Sequence, residues 1–159
     1  MVADNDRLAV NIALYQPQIP GNTGNIGRLC VGCNAKLHIV KPMRFLINDK
    51  YLSRAGLDYW QHLDLKLYDD LDQLFREYEP DRIFFCSTKG TKIYSDLKFK
   101  RGDLFLFGPE NKGLPEDLLK QYPEQVITIP MSNKIRSINL ANSVAIILYE
   151  VLRQNNFRI

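Results

Sequence analysis

The sequence predicts an α/β domain built on a mainly parallel sheet, and two observations carry that prediction. Short apolar runs alternate with helix-like segments along the chain, as they do in domains whose helices cover a parallel sheet. Several of those runs are continuously apolar instead of alternating with polar residues, the mark of strands covered on both faces. No internal repeat, low-complexity segment or linker interrupts the 159 residues, so they read as one compact domain, 1–159, long enough for a proper core.

In chain order the first strand is LAVNIALY (8–15), followed by a helix over 22–33. Asn22 or Thr23 is placed to cap that helix. Gly27 inside it costs about 1 kcal/mol relative to alanine, which suggests a close backbone approach there. KLHIV (36–40) is the second strand, and a helix is expected at 49–55. LDLKLY (63–68) is the third strand and 69–79 the next helix. In that helix Asp69 or Asp70 can cap, Leu71, Leu74, Phe75 and Tyr78 form one stripe, and Pro80 stops it. RIFFCST (82–88), DLFLFG (103–108) and QVITIP (125–130) complete the strands. Pro115 suits the first turn of a helix at 115–121. The last helix, 139–155, is apolar nearly all round and must be buried on several sides, in the core or against another subunit.

Composition narrows the function classes. An apolar share of 45% with 25% charged residues is ordinary for a soluble globular chain. The net charge of +3 permits an anionic partner without demanding one. The longest uncharged stretch, SINLANSVAIILY, is too short to span a bilayer, so no membrane role is expected. The charged start MVADNDR has no apolar region of a secretory leader behind it. Cysteines number three, an odd count that fits a reducing, cytoplasmic compartment. CVGC (30–33) has metal-site spacing, but Cys86, His38 and His62 offer no matching second pair. Buried small residues on a helix are the better explanation, and no metal is expected.

Ligands of such sheets usually sit outside the carboxyl ends of the strands, which singles out the loops 16–22, 87–92, 108–115 and 130–139. The first leads into IPGNTGNIGRLC (19–30), whose glycines suggest a phosphate-cradling turn. The dinucleotide pattern fails, because Asn22 stands where its first glycine belongs and Lys41 where a ribose-binding acid is wanted. The lysine and hydroxyl of a P-loop are also absent. A helix start at this point still favours an anion such as a phosphate. Gly24, Arg28 and Gly32 share one helix face, so Arg28 either lies against a close neighbour or ligand or is a surface residue.

Three stretches taken together, NTGNIGRLC, LFGPENKGLP and IPM…RSINLANSVAIILYE, closely resemble motifs one, two and three of the SPOUT-type RNA methyltransferases. RAGLDYW and TKG extend the likeness over nearly the whole chain, and it is nearest to the TrmL or YibK-like enzymes. The resemblance implies a parallel-sheet SPOUT (α/β-knot) fold with a C-terminal trefoil knot, a topology general rules would not suggest. It implies a homodimer with the last helix at the interface. It implies S-adenosyl-L-methionine bound in the knot, mainly through main-chain groups of three loops. The implied reaction is methylation of the ribose 2′-hydroxyl of tRNA, on cytidine or 5-carboxymethylaminomethyluridine at the wobble position. The same chemistry on another RNA, such as rRNA, is the alternative.

Carried over by position, the resemblance implies Cys86, Gly108, Ile129 and Ser137 as the cofactor site, with Cys86 and Ile129 equally readable as core residues. It implies Arg28, Asn22, Glu110 and Asn139 as the catalytic set. Arg28 is expected to be essential, either as base or as a phosphate clamp that polarises the hydroxyl. A free arginine, with a pKa of about 12.5–13.8, is a poor base. Asn22 would position Arg28 or the ribose, Glu110 would orient the motif-two loop, and Ser137 and Asn139 would organise the loop near the methyl donor. Tyr149 and Arg153 on the last helix read as interface or RNA contacts. Lys89, Lys92, Lys98, Lys100 and Arg101 either track phosphates or form a solvated basic face. Lys134 and Ile135 sit in a loop to which no RNA contact is carried over.

Overall fold

The computed structural model describes residues 9–43, 45 and 58–159. Its strands are β1 (Asn11–Tyr15), β2 (Lys36–Val40), β3 (Leu65–Tyr68), β4 (Ile83–Cys86), β5 (Lys92–Ile93), β6 (Leu104–Phe107) and β7 (Val126–Thr128). The α-helices are α1 (Pro20–Gly32), α2 (Leu71–Phe75), α3 (Glu116–Gln121) and α4 (Leu140–Gln154). All six predicted strands are present, and the two-residue β5 joins them. The expected helix at 49–55, and residues 54–57 of RAGLDYW, lie outside the described residues.

The sheet runs β3-β2-β1-β6-β4-β7-β5, and every pairing among the described residues is parallel. Alternate residues of each strand serve opposite faces, which is why central strands such as β4 and β6 are continuously apolar. Ile12, Leu14, Leu37, Ile39, Phe105 and Phe107 face one core, closed by Ile26 and Cys30 of α1 and Val144, Ile147 and Leu148 of α4. Ala13, Val40, Phe85, Leu104 and Leu106 face the other, closed by Leu74 of α2 and Leu119 of α3. Cys30 and Cys33 belong to the first core, and burial pushes the Cys30 thiol up to about 12.

Two helices depart from the expected bounds. α1 starts at Pro20, with Ile19 as its N-cap residue and no side-chain cap. Asn22 and Thr23 are therefore inside the first turn and do not cap it. Proline supplies the helical φ at this position and loses only an amide that has no intrahelical partner. α2 is capped by Asp70, whose carboxylate accepts from the Gln73 amide at 2.9 Å, but it ends at Phe75, short of the expected 79. Beyond Phe75 the amides of Glu77 and Tyr78 bond three residues back, to Leu74 and Phe75. That tightening brings the Glu77 carboxylate to the Tyr68 hydroxyl, 2.8 Å, and the Tyr78 hydroxyl to His38 Nε2, 3.0 Å. Tyr68 donates to Glu77, so its oxygen accepts from His38 Nδ1 at 2.9 Å. A buried histidine thus ties β2 to β3 and to the end of α2, and tertiary hydrogen bonds override the propensity of a longer helix.

Candidate active site

β6, β4 and β7 are neighbours, and their carboxyl ends open into a cavity of about 370 Å³. Each of the four loops singled out in the sequence contributes to its lining, through Ile19 and Asn22, Ser87 to Lys89, Gly108 to Leu114, and Met131 with Arg136 to Asn139. Cys86, Gly108, Ile129 and Ser137 all line it, the first three brought together by strand order and Ser137 by the loop that precedes α4. Cys86 ends β4, in register with Phe107 of β6 and Ile127 of β7, and burial raises its thiol pKa. The next residue continues the ladder, with the Ser87 amide donating to the Ile127 carbonyl at 3.0 Å.

Gly108 is required by its own loop. After Pro109 the chain doubles back, the Gly113 amide donating to the Pro109 carbonyl at 2.9 Å while Gly113 adopts a positive φ of 65°. The return brings Gly113 and Leu114 so close that a Cβ at position 108 would overlap their backbone. Glycine at 108 therefore permits a tight loop that forms one wall of the cavity.

Glu110 reaches from that loop to the start of α1. Its carboxylate accepts from the Gln18 amide at 2.9 Å, the Ile19 amide at 2.6 Å and Asn22 Nδ2 at 3.4 Å. The anion that a helix N-terminus favours is thus supplied by the chain itself. Asn22, 8% exposed, passes the connection on, its Oδ1 accepting from Asn139 Nδ2 at 3.1 Å. Asn139 in turn caps α4, accepting from the Asn142 amide at 3.2 Å. Three of the four residues expected to be catalytic therefore form one hydrogen-bonded chain joining the starts of α1 and α4 to the loop after β6.

Comparison with known proteins fits this layout. Residues 9–149 match the SpoU rRNA Methylase family. The chain belongs to that family. A tRNA (cytidine(34)-2′-O)-methyltransferase of Methylovorus glucosotrophus is 45% identical over 148 residues, covering 92% of this chain and 96% of the relative. A solved structure described as giving structural insights into the 2-OH methylation of C/U34 on tRNA is 40% identical. It has a TM-score of 0.85 and covers 94% of this chain and 98% of its own. The SpoU methyltransferase AviRb of Streptomyces viridochromogenes, solved with the cofactor AdoMet, shares the fold at a TM-score of 0.79. It is 23% identical and covers 98% of this chain and 63% of its own.

Within this SpoU-family fold Arg28 stands apart from the other named residues. It is exposed and does not line the cavity. It lies six residues beyond Asn22, about 9 Å along a helix with 1.5 Å rise per residue. Asn22 does not hold it, since the Asn22 amide is committed to Glu110 and Asn139. Lys112 and Arg136 line the cavity, and of the two Arg136 was not singled out in the sequence. Arg136 lies in the third motif, and its place in the loop ahead of α4 was the signal available. The basic segment 89–101 is partly neutralised: Lys89 pairs with Glu116, and Lys92 with Glu124 at 2.5 Å. Arg153 makes a two-pronged pair with Glu150, at 2.7 and 2.9 Å.

Proposed function

We propose that this chain is an S-adenosyl-L-methionine-dependent tRNA 2′-O-methyltransferase of the wobble nucleotide, acting on cytidine or 5-carboxymethylaminomethyluridine at position 34 of tRNA. It would work in the cytoplasm, as a homodimer of single domains spanning 1–159. The observation that carries the proposal is the convergence of residues from all three motifs on one cavity, in a chain 45% identical to a relative of that name.

The cavity suits the methyl donor. Its volume falls in the range of about 300–1,000 Å³ usual for small-molecule sites. Leu114, Ile127, Ile129 and Ile138 give it apolar walls, and Ser87, Thr88 and Ser137 give it polar ones. Cys86, Gly108, Ile129 and Ser137 would hold the cofactor, which supplies the methyl group. Glu110, Asn22 and Asn139 keep the surrounding loops in one arrangement, so that the ribose hydroxyl meets the methyl in line. Arg28 would serve the target nucleotide, by taking the hydroxyl proton or by holding the adjacent phosphate and polarising the hydroxyl.

The strand order supports a C-terminal knot, because β7 lies between β4 and β5, as a chain drawn through the loop that joins those two would. An outer stripe of α4 supports the dimer. Ala145 and Ile146 are half-buried, and Tyr149 is 47% exposed on the same side.

The test incubates the protein with labelled S-adenosylmethionine and bulk tRNA and maps the 2′-O-methylated nucleotides. Label at the wobble ribose is expected. Label in ribosomal RNA and none in tRNA would replace this proposal with the rRNA activity that the family's description names.

A further inference from the structure

Gly24 and Gly27 precede Arg28 on α1, and one turn of chain from elsewhere covers both. The short 3-10 turn Asp58–His62 places the Tyr59 hydroxyl on the Gly24 carbonyl, to which it donates at 2.8 Å. Its Trp60 ring occupies the space of a side chain at 27, so that a Cβ there would overlap the indole. Gly24 lies one turn before Arg28, and in an α-helix its carbonyl also accepts the Arg28 amide. Long helical side chains lean toward the N-terminus, over residues three and four positions back. Gly24 has no side chain, so an arginine stem leaning back along the helix meets no side chain at 24, and the Tyr59 hydroxyl stands on the Gly24 carbonyl. Having donated its proton to Gly24, that hydroxyl presents lone pairs, which suit a guanidinium. Burial raises the Tyr59 pKa, and the positive charge of Arg28 is the influence that opposes it. No carboxylate pairs with Arg28 among the described residues.

We propose that Tyr59 is a positioning residue for Arg28, holding the guanidinium back along α1 toward the end where Ile19 and Asn22 line the cavity. The inference rests on the role in methyl transfer proposed for Arg28. Tyr59→Phe keeps the ring and deletes the hydroxyl. Its kcat for 2′-O-methylation of tRNA should fall about tenfold or more, as misplaced catalytic groups do. S-Adenosylmethionine affinity by calorimetry should be unchanged, and the melting temperature should shift by no more than a few degrees. Arg28→Ala should abolish transfer while retaining cofactor binding, and the double variant should be no worse than Arg28→Ala alone. Wild-type turnover by Tyr59→Phe beside an inactive Arg28→Ala would overturn the inference and leave the role of Arg28 standing. Wild-type turnover by Arg28→Ala would remove that role, and the inference with it. A loss of kcat matched by a large loss of thermal stability, or any residual Arg28→Ala activity that Tyr59→Phe lowers further by the same factor, would also overturn it.

Discussion

Position 108 shows how one missing side chain shapes the candidate site. A Cβ there would overlap the backbone of Gly113 and Leu114, and backbone cannot swing aside as a flexible side chain can. Gly108→Ala must therefore push the 109–114 loop out, a strain of about 1–3 kcal/mol for one added methyl in a packed place. Because that loop is a cavity wall, cofactor affinity by calorimetry should drop about tenfold, with the fold retained by circular dichroism. The group that approaches position 108 is the loop itself. Glu110 carries a similar lesson. A glycine-rich helix start looked open to a phosphate, and an anion does sit there, but it is the carboxylate of a residue 91 positions from Ile19. No local pattern could have revealed that partner.

Among the elements, β2, β3 and α2 share a buried polar cluster that the proposed chemistry does not use. His38 is fully buried, and burial, helped by the positive charge of Lys36, holds its pKa down at about 4, against about 6.5 for an exposed imidazole. Between those values the unfolded chain binds a proton that the folded chain does not. Stability must therefore fall as pH drops from about 6.5 toward 4, by at most about 1.4 kcal/mol per pH unit. Below the folded value both states are protonated and this contribution levels off. Denaturant unfolding at stepped pH should show that slope, and His38→Gln should be less stable at neutral pH with a shallower slope. An identical slope in both proteins would mean that His38 does not set it. The cluster also explains why the helix expected over 69–79 stops at Phe75. Its apolar stripe was readable, but Glu77 and Tyr78 are drawn toward Tyr68 and His38 by contacts 9 and 40 residues distant in sequence.

At the scale of the whole molecule, α4 joins the core to the outer surface. Val144, Ile147, Leu148, Val151 and Leu152 are buried within the chain, so the core accounts for much of the apolar character that suggested an interface. The remaining stripe through Ala145, Ile146 and Tyr149 is what a second copy would cover. Sedimentation should give twice the mass of the chain, and Tyr149→Arg should shift the protein toward monomer. A wild-type monomer at micromolar concentration would contradict the dimer. What the sequence determined by itself was six of the seven strands, the parallel α/β class and the four loops at the carboxyl edge, because continuous apolar runs and turn residues are local signals. It also held the three motifs whose residues line the cavity. Only the tertiary structure decided the strand order that brings Cys86, Gly108 and Ile129 together, the Glu110–Asn22–Asn139 chain, and the turn that sets Tyr59 and Trp60 on the glycines before Arg28. Those arrangements depend on contacts between segments far apart in the chain, and such contacts leave no periodicity or spacing in the sequence that makes them.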